Sequence, residues 1–91
     1  MTASLPPVKI PSGKWVDLYD ATQITLGTQL IMQNIGGNDV LISENATKPD
    51  VTFQIVGFNI MEPKLFLESS GTPVGLFAYA SVGSKLQVDE A

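Results

Sequence analysis

Residues 28–43 constrain this sequence most: two short apolar runs, Leu30-Ile31-Met32 and Val40-Leu41-Ile42, flank Gly36-Gly37-Asn38-Asp39. The four central residues tolerate positive φ or hydrogen-bond their own backbone, which is turn chemistry. In the first run Leu30 and Met32 fall on one face of a strand and Gln29, Ile31 and Gln33 on the other. The spacing predicts an antiparallel hairpin. A lone hairpin does not persist in water, so the remaining chain must supply further strands.

It does so in short pieces. Lys14-Trp15-Val16-Asp17-Leu18-Tyr19 alternates as a strand should, with Trp15, Asp17 and Tyr19 on one side. Asp20-Ala21-Thr22-Gln23-Ile24 reads as a turn or a single helical turn capped by Asp20 or Thr22. Residues 44–50 form a polar loop, residues 51–60 a strand with a bulge at Gly57 or two strands across a bend there, and residues 64–68 a short apolar strand. Gly75-Leu76-Phe77-Ala78-Tyr79-Ala80 and Lys85-Leu86-Gln87-Val88, separated by Gly83-Ser84, predict a second hairpin. No segment keeps a period of 3.6. The expected fold class is all-β: a small antiparallel β-sandwich or barrel of six to seven short strands with an extended N-terminal arm.

That arm covers residues 1–13 and holds Pro6, Pro7 and Pro11; residues 14–91 are expected to form a single β domain. The arm is either a frayed tail or a segment lying across a neighbouring subunit, where Leu5, Val8 and Ile10 would be its apolar contacts. In the second case deleting residues 1–12 should weaken assembly and leave the domain folded.

At 91 residues a single core holds by a thin margin, and without cysteine neither disulfides nor thiolate metal sites can widen it. Only 15% of the residues are charged against 44% hydrophobic, so part of the apolar surface is expected to meet protein. A net charge of -4, with five lysines and no arginine, argues against nucleic-acid binding. No apolar run approaches the roughly 20 residues of a spanning helix and no secretory signal is recognisable, so the expectation is synthesis in the cytoplasm without membrane insertion. Asn45-Ala46-Thr47 matches a glycosylation sequon, read here as chance.

The chemistry of catalysis is sparse. The chain contains no histidine, which removes the commonest general base and the Ser-His-Asp arrangement together. Asp17, Asp20, Asp39, Asp50, Glu44, Glu62 and Glu68 could supply a carboxylate pair for glycoside hydrolysis, yet nearly all fall in expected turns or at strand ends, where acids form turns and solubilise. Asp39, Asp50 and Glu44 could in principle hold calcium, without the spacing of an EF-hand loop. The expectation is therefore no catalytic, cofactor-binding or metal-binding residue. Trp15, Tyr19, Phe58, Phe66, Phe77 and Tyr79 could line a carbohydrate platform, but in so small a chain most of these rings are needed inside.

Taken in order, Trp15-Val-Asp-Leu-Tyr19, Leu26-Gly27-Thr28, Gln33-Asn34-Ile35-Gly36, Asn38-Asp39-Val40-Leu41, Ala46-Thr47-Lys48-Pro49, Gly75-Leu-Phe-Ala-Tyr79 and Gly83-Ser-Lys85-Leu-Gln-Val88 resemble small structural proteins encoded among the virion genes of tailed bacteriophages. The resemblance runs from Lys14 onward and rests on the order and spacing of ordinary strand and turn signatures. It implies a non-catalytic β-rich subunit, first of all a capsid decoration protein, alternatively a tail, neck or fibre-base component. The partners would be the major capsid protein or tail and neck proteins, and further copies of the chain. The contact residues expected are Leu5, Val8, Ile10, Trp15, Phe77 and Tyr79. A small carbohydrate-binding module using Trp15 is the alternative of another class.

Overall fold

The computed structural model describes residues 6–46 and 59–91. Its strands are β1 (Val8–Ile10), β2 (Trp15–Asp17), β3 (Leu30–Asn34), β4 (Val40–Glu44), β5 (Asn59–Met61), β6 (Phe66–Glu68), β7 (Leu76–Tyr79) and β8 (Ser84–Glu90), with one short helix, α1 (Leu18–Thr22). The strands form two four-stranded sheets, ordered β1-β8-β3-β6 and β2-β7-β4-β5. Every registered strand pair is antiparallel. The fold is all-β and sandwich-like, with eight strands among the described residues where six to seven were expected.

Period-two alternation fixes which side chains go inside. Val8 and Ile10, Leu30 and Met32, and Leu86 and Val88 point inward from the first sheet; Val40, Ile42, Met61, Leu76 and Ala78 meet them from the second. Burying each of the larger aliphatic side chains contributes about 1.5–3 kcal/mol, and here both inner faces do so over short strands. Leu18 and Tyr19 of α1 are buried with the same cluster.

The two predicted hairpins are not hairpins. β3 pairs with β6 and β8, β4 pairs with β5 and β7, and β7 and β8 likewise lie in different sheets. Residues 35–39 and 80–83 therefore carry the chain from one sheet to the other, arching over the core. Turn chemistry is the same for a hairpin and an arch. What separates them is that inward faces on both flanking strands can be buried against each other only when the strands belong to opposing sheets.

A third crossing lies at the same end, because β1 pairs with β8 and β2 with β7. Ser12 bridges to Ala80, the Gly13 amide donates to the Ala80 carbonyl at 3.0 Å, and the Ser12 hydroxyl donates to the Ser81 carbonyl at 2.8 Å. The expected free arm is thus, from Val8 to Ile10, a strand of the chain's own sheet. Prolines at 6, 7 and 11 flank it without interrupting it, as suits an edge strand.

Asn34 ties the arches together. Its side-chain amide donates to the Asn38 carbonyl at 2.7 Å and the Met61 carbonyl at 2.8 Å. Its Oδ1 accepts from the Gly36 amide at 3.1 Å and the Ser84 hydroxyl at 3.0 Å. The side chain is fully buried with each donor and both acceptor positions used, which is the condition under which a buried amide stabilises. The loops approach so closely here that a Cβ on Gly36 would lie 2.0 Å from Ser84 Oγ and 2.6 Å from the Lys85 nitrogen.

The helix cap differs from the expectation. Asp17, rather than Asp20 or Thr22, caps α1, accepting from the amides of Tyr19 at 3.0 Å and Asp20 at 3.3 Å. The cap ends β2 at Asp17, so Tyr19 turns into the core instead of continuing the alternation. Residues 47–50 and the 51–58 part of the interrupted strand lie outside the described residues.

Candidate contact surfaces

Of the six residues expected to make subunit contacts, Leu5 lies outside the described residues. Val8 and Ile10 are corrected: they are 8% and 1% exposed and pack into this chain's own core, because β1 places them opposite Leu86 and Ser84 of β8. They have no apolar surface left to offer a neighbour. For the same reason, deleting residues 1–12 would remove a core strand and would not leave the domain intact.

Trp15, Phe77 and Tyr79 are brought together on the outward face of the second sheet. Trp15 stands opposite Tyr79 across the β2–β7 pair, with ring centroids 5.2 Å apart and planes tilted by 40°. Tyr79 is also opposite Leu41, and Leu41 is opposite Ile60. The register therefore assembles Trp15, Tyr79, Leu41 and Ile60 into an apolar row that crosses all four strands. Phe77 lies beside it, flanked by Asp17 and Ser43. Trp15 and Leu41 are half-buried and Ile60 is 48% exposed. Phe77 and Tyr79, however, are 7% and 8% exposed, as buried as Val8, so the two expected contact residues of β7 have almost no surface of their own to offer a neighbour.

Leu41 and Ile60 were missed in the sequence. Leu41 sits in a run of four apolar or small residues whose facing cannot be read until its partners are known, and Ile60 reaches the row only through the β4–β5 register.

The acids are distributed differently. Asp17 is engaged as the α1 cap, and Glu44 accepts from both the amide and the hydroxyl of Ser70. Asp20, Asp39, Glu62 and Glu68 are exposed, and Asp50 lies outside the described residues. Among the described residues no three of histidine, cysteine, aspartate or glutamate converge as they would to hold a metal ion. Among the described residues no helix is long and apolar enough to cross a membrane.

The titration of Tyr19 is displaced from its ordinary range. Burial, reinforced by the negative charges of Glu44 and Asp17, pushes its phenol above the usual value of 10.0. Its hydroxyl donates to the Thr28 carbonyl, so it braces the segment leading into β3.

A groove of about 540 Å³ opens at the arch end, lined in part by Lys9, Pro11, Ile35, Val82 and Lys85. Val82 is 67% exposed there and Ile35 44%. Its side chains offer ammonium groups and aliphatic surface.

No protein-family model, curated protein or solved structure matches this chain.

Proposed function

We propose that this chain is a non-enzymatic structural subunit of a bacteriophage virion, acting as a capsid decoration protein that stabilises the head through repeated contacts. The tail, neck or fibre base is the alternative location. The observation that carries the reading is the number of large apolar side chains left exposed on so small a chain, among them Ile60 at the end of the Trp15 row, Phe66, Val74 and Val82, with Trp15 and Leu41 half-buried beside the buried Tyr79. Exposed large apolar side chains suit covering by protein. A small subunit with a thin core also gains stability from its neighbours, and many weak contacts multiply through copy number. A sugar platform is less well supported, since Trp15 is half-buried and tilted against Tyr79 instead of lying flat and open.

The test is to purify particles from the host that expresses this gene, band them in a density gradient and quantify the chain by mass spectrometry. The chain should band with particles in many copies, and Ile60→Lys should release it. A chain recovered only in the soluble fraction would overturn the reading, as would saturable quenching of Trp15 fluorescence by submillimolar oligosaccharide.

A further inference from the structure

The outward face of the first sheet is segregated by charge along the strands. At successive outward positions β8 carries Lys85, Gln87 and Asp89, so one strand runs from cation through neutral amide to anion. β6 with the turn before it gives the same order, from Lys64 through Phe66 to Glu68, whereas β3 is uncharged on this face and β1 adds only a cation. Lys9 of β1 stands opposite Lys85, while Gln33 of β3 stands between Gln87 and Phe66. Ile31 stands between Asp89 and Glu68. The Ile35 amide donates to the Lys85 carbonyl and the Lys64 amide to the Asn34 carbonyl, placing both residues at the cationic end.

Two like charges directly opposite on adjacent strands are unfavourable, and a chain with five lysines and a net charge of -4 has no shortage of acids to intersperse. Segregation instead makes the face self-complementary. Consider a two-fold axis lying in the contact plane and running across the strands along the Gln87, Gln33 and Phe66 row. It keeps each strand facing its own copy and exchanges the two ends. Lys85 then faces Asp89 of the second copy, Ile35 faces Ile31, and Lys64 faces Glu68. Phe66, 65% exposed, meets itself on the axis.

From this match we infer that the outward face of the first sheet joins two copies of the chain in an isologous dimer. Complementary charges set the register of the two copies, Phe66 supplies apolar area on the axis, and Ile35 and Ile31 supply it towards the two ends. The dimer face is separate from the Trp15 row on the other sheet, so failure of either assignment leaves the other testable.

The experiment uses two charge-reversed variants of the full chain, Lys64→Glu with Lys85→Glu, and Glu68→Lys with Asp89→Lys. Lys64, Lys85 and Glu68 are exposed and Asp89 is half-buried, and circular dichroism checks that each variant folds. In sedimentation equilibrium the native chain should dimerise, each variant alone should associate at least tenfold more weakly, and an equimolar mixture should restore a one-to-one dimer, because the two reversed faces complement each other. A native chain that stays monomeric at about 100 μM, variants that self-associate as strongly as the native chain, or a mixture that remains monomeric would each overturn the inference.

Discussion

The Ser84 hydroxyl donates to Asn34 Oδ1 at 3.0 Å, joining the strand that opens one arch to the strand that closes another. These residues are fifty positions apart in sequence, and the bond forms only if β3 and β8 are adjacent in one sheet with their arches at the same end. Together with the Met61 carbonyl, which accepts from the same amide, it fixes how the two sheets are held at that end.

Replacing Asn34 with alanine should therefore cost about 3 kcal/mol in urea denaturation, since it strands buried partners as well as removing bonds. Asn34→Asp should cost at least as much, because a carboxylate oxygen would oppose the Met61 and Asn38 carbonyls. Ser84→Ala alone should cost about 1 kcal/mol. The double alanine variant should lose less than the sum of the single losses. Strict additivity would show that the two side chains are not coupled.

Tyr19 predicts the alkaline limit of stability. Its phenol titrates above 10.0 in the folded chain, so the folded state keeps its proton where the unfolded state has released it. The contribution is fully present below pH 10 and is lost as pH rises through the displaced value. Thermal melts from pH 8 to pH 11 should show native stability falling in that upper range, and Tyr19→Phe should flatten the fall. The same variant should cost about 1 kcal/mol at neutral pH through loss of the bond to Thr28.

Removing residues 1–12 should abolish cooperative unfolding, since it takes Val8 and Ile10 out of the core and exposes the edge of β8. Lys9→Ala, which changes only an outward side chain of the same strand, should leave the unfolding midpoint nearly unchanged. A truncated chain with native-like unfolding in circular dichroism would mean that β1 is dispensable.

Much of this architecture was legible from alternation alone. Leu30 and Met32 face inward as their spacing required, and Leu76, Ala78, Leu86 and Val88 do the same. Strand partners were not legible, because β3 meets β8 through pairs such as Leu30 and Glu90 that no local pattern announces. That is why Gly36-Gly37-Asn38-Asp39 reads as a hairpin turn and folds as an arch. Val8-Lys9-Ile10 carries the alternation of a strand, but three nearby prolines obscured it. Asn34 reads as a turn former beside Gly36, and only the approach of Met61 and Ser84 makes it a buried brace. That Trp15, Phe77 and Tyr79 share one face follows from alternation, but that Phe77 and Tyr79 are buried there was not legible, and Leu41 and Ile60 join the row only through register.

The most direct measurement uses the single tryptophan as a reporter of whether the outward face of the second sheet is covered on assembly. Acrylamide quenching of Trp15 should be compared in the free chain and in the chain bound to purified particles. The account predicts a several-fold drop in quenching and a shift of emission to shorter wavelength on binding, both lost in Ile60→Lys at an unchanged unfolding midpoint. Equal quenching in both states, with Ile60→Lys binding as well as the native chain, would contradict it.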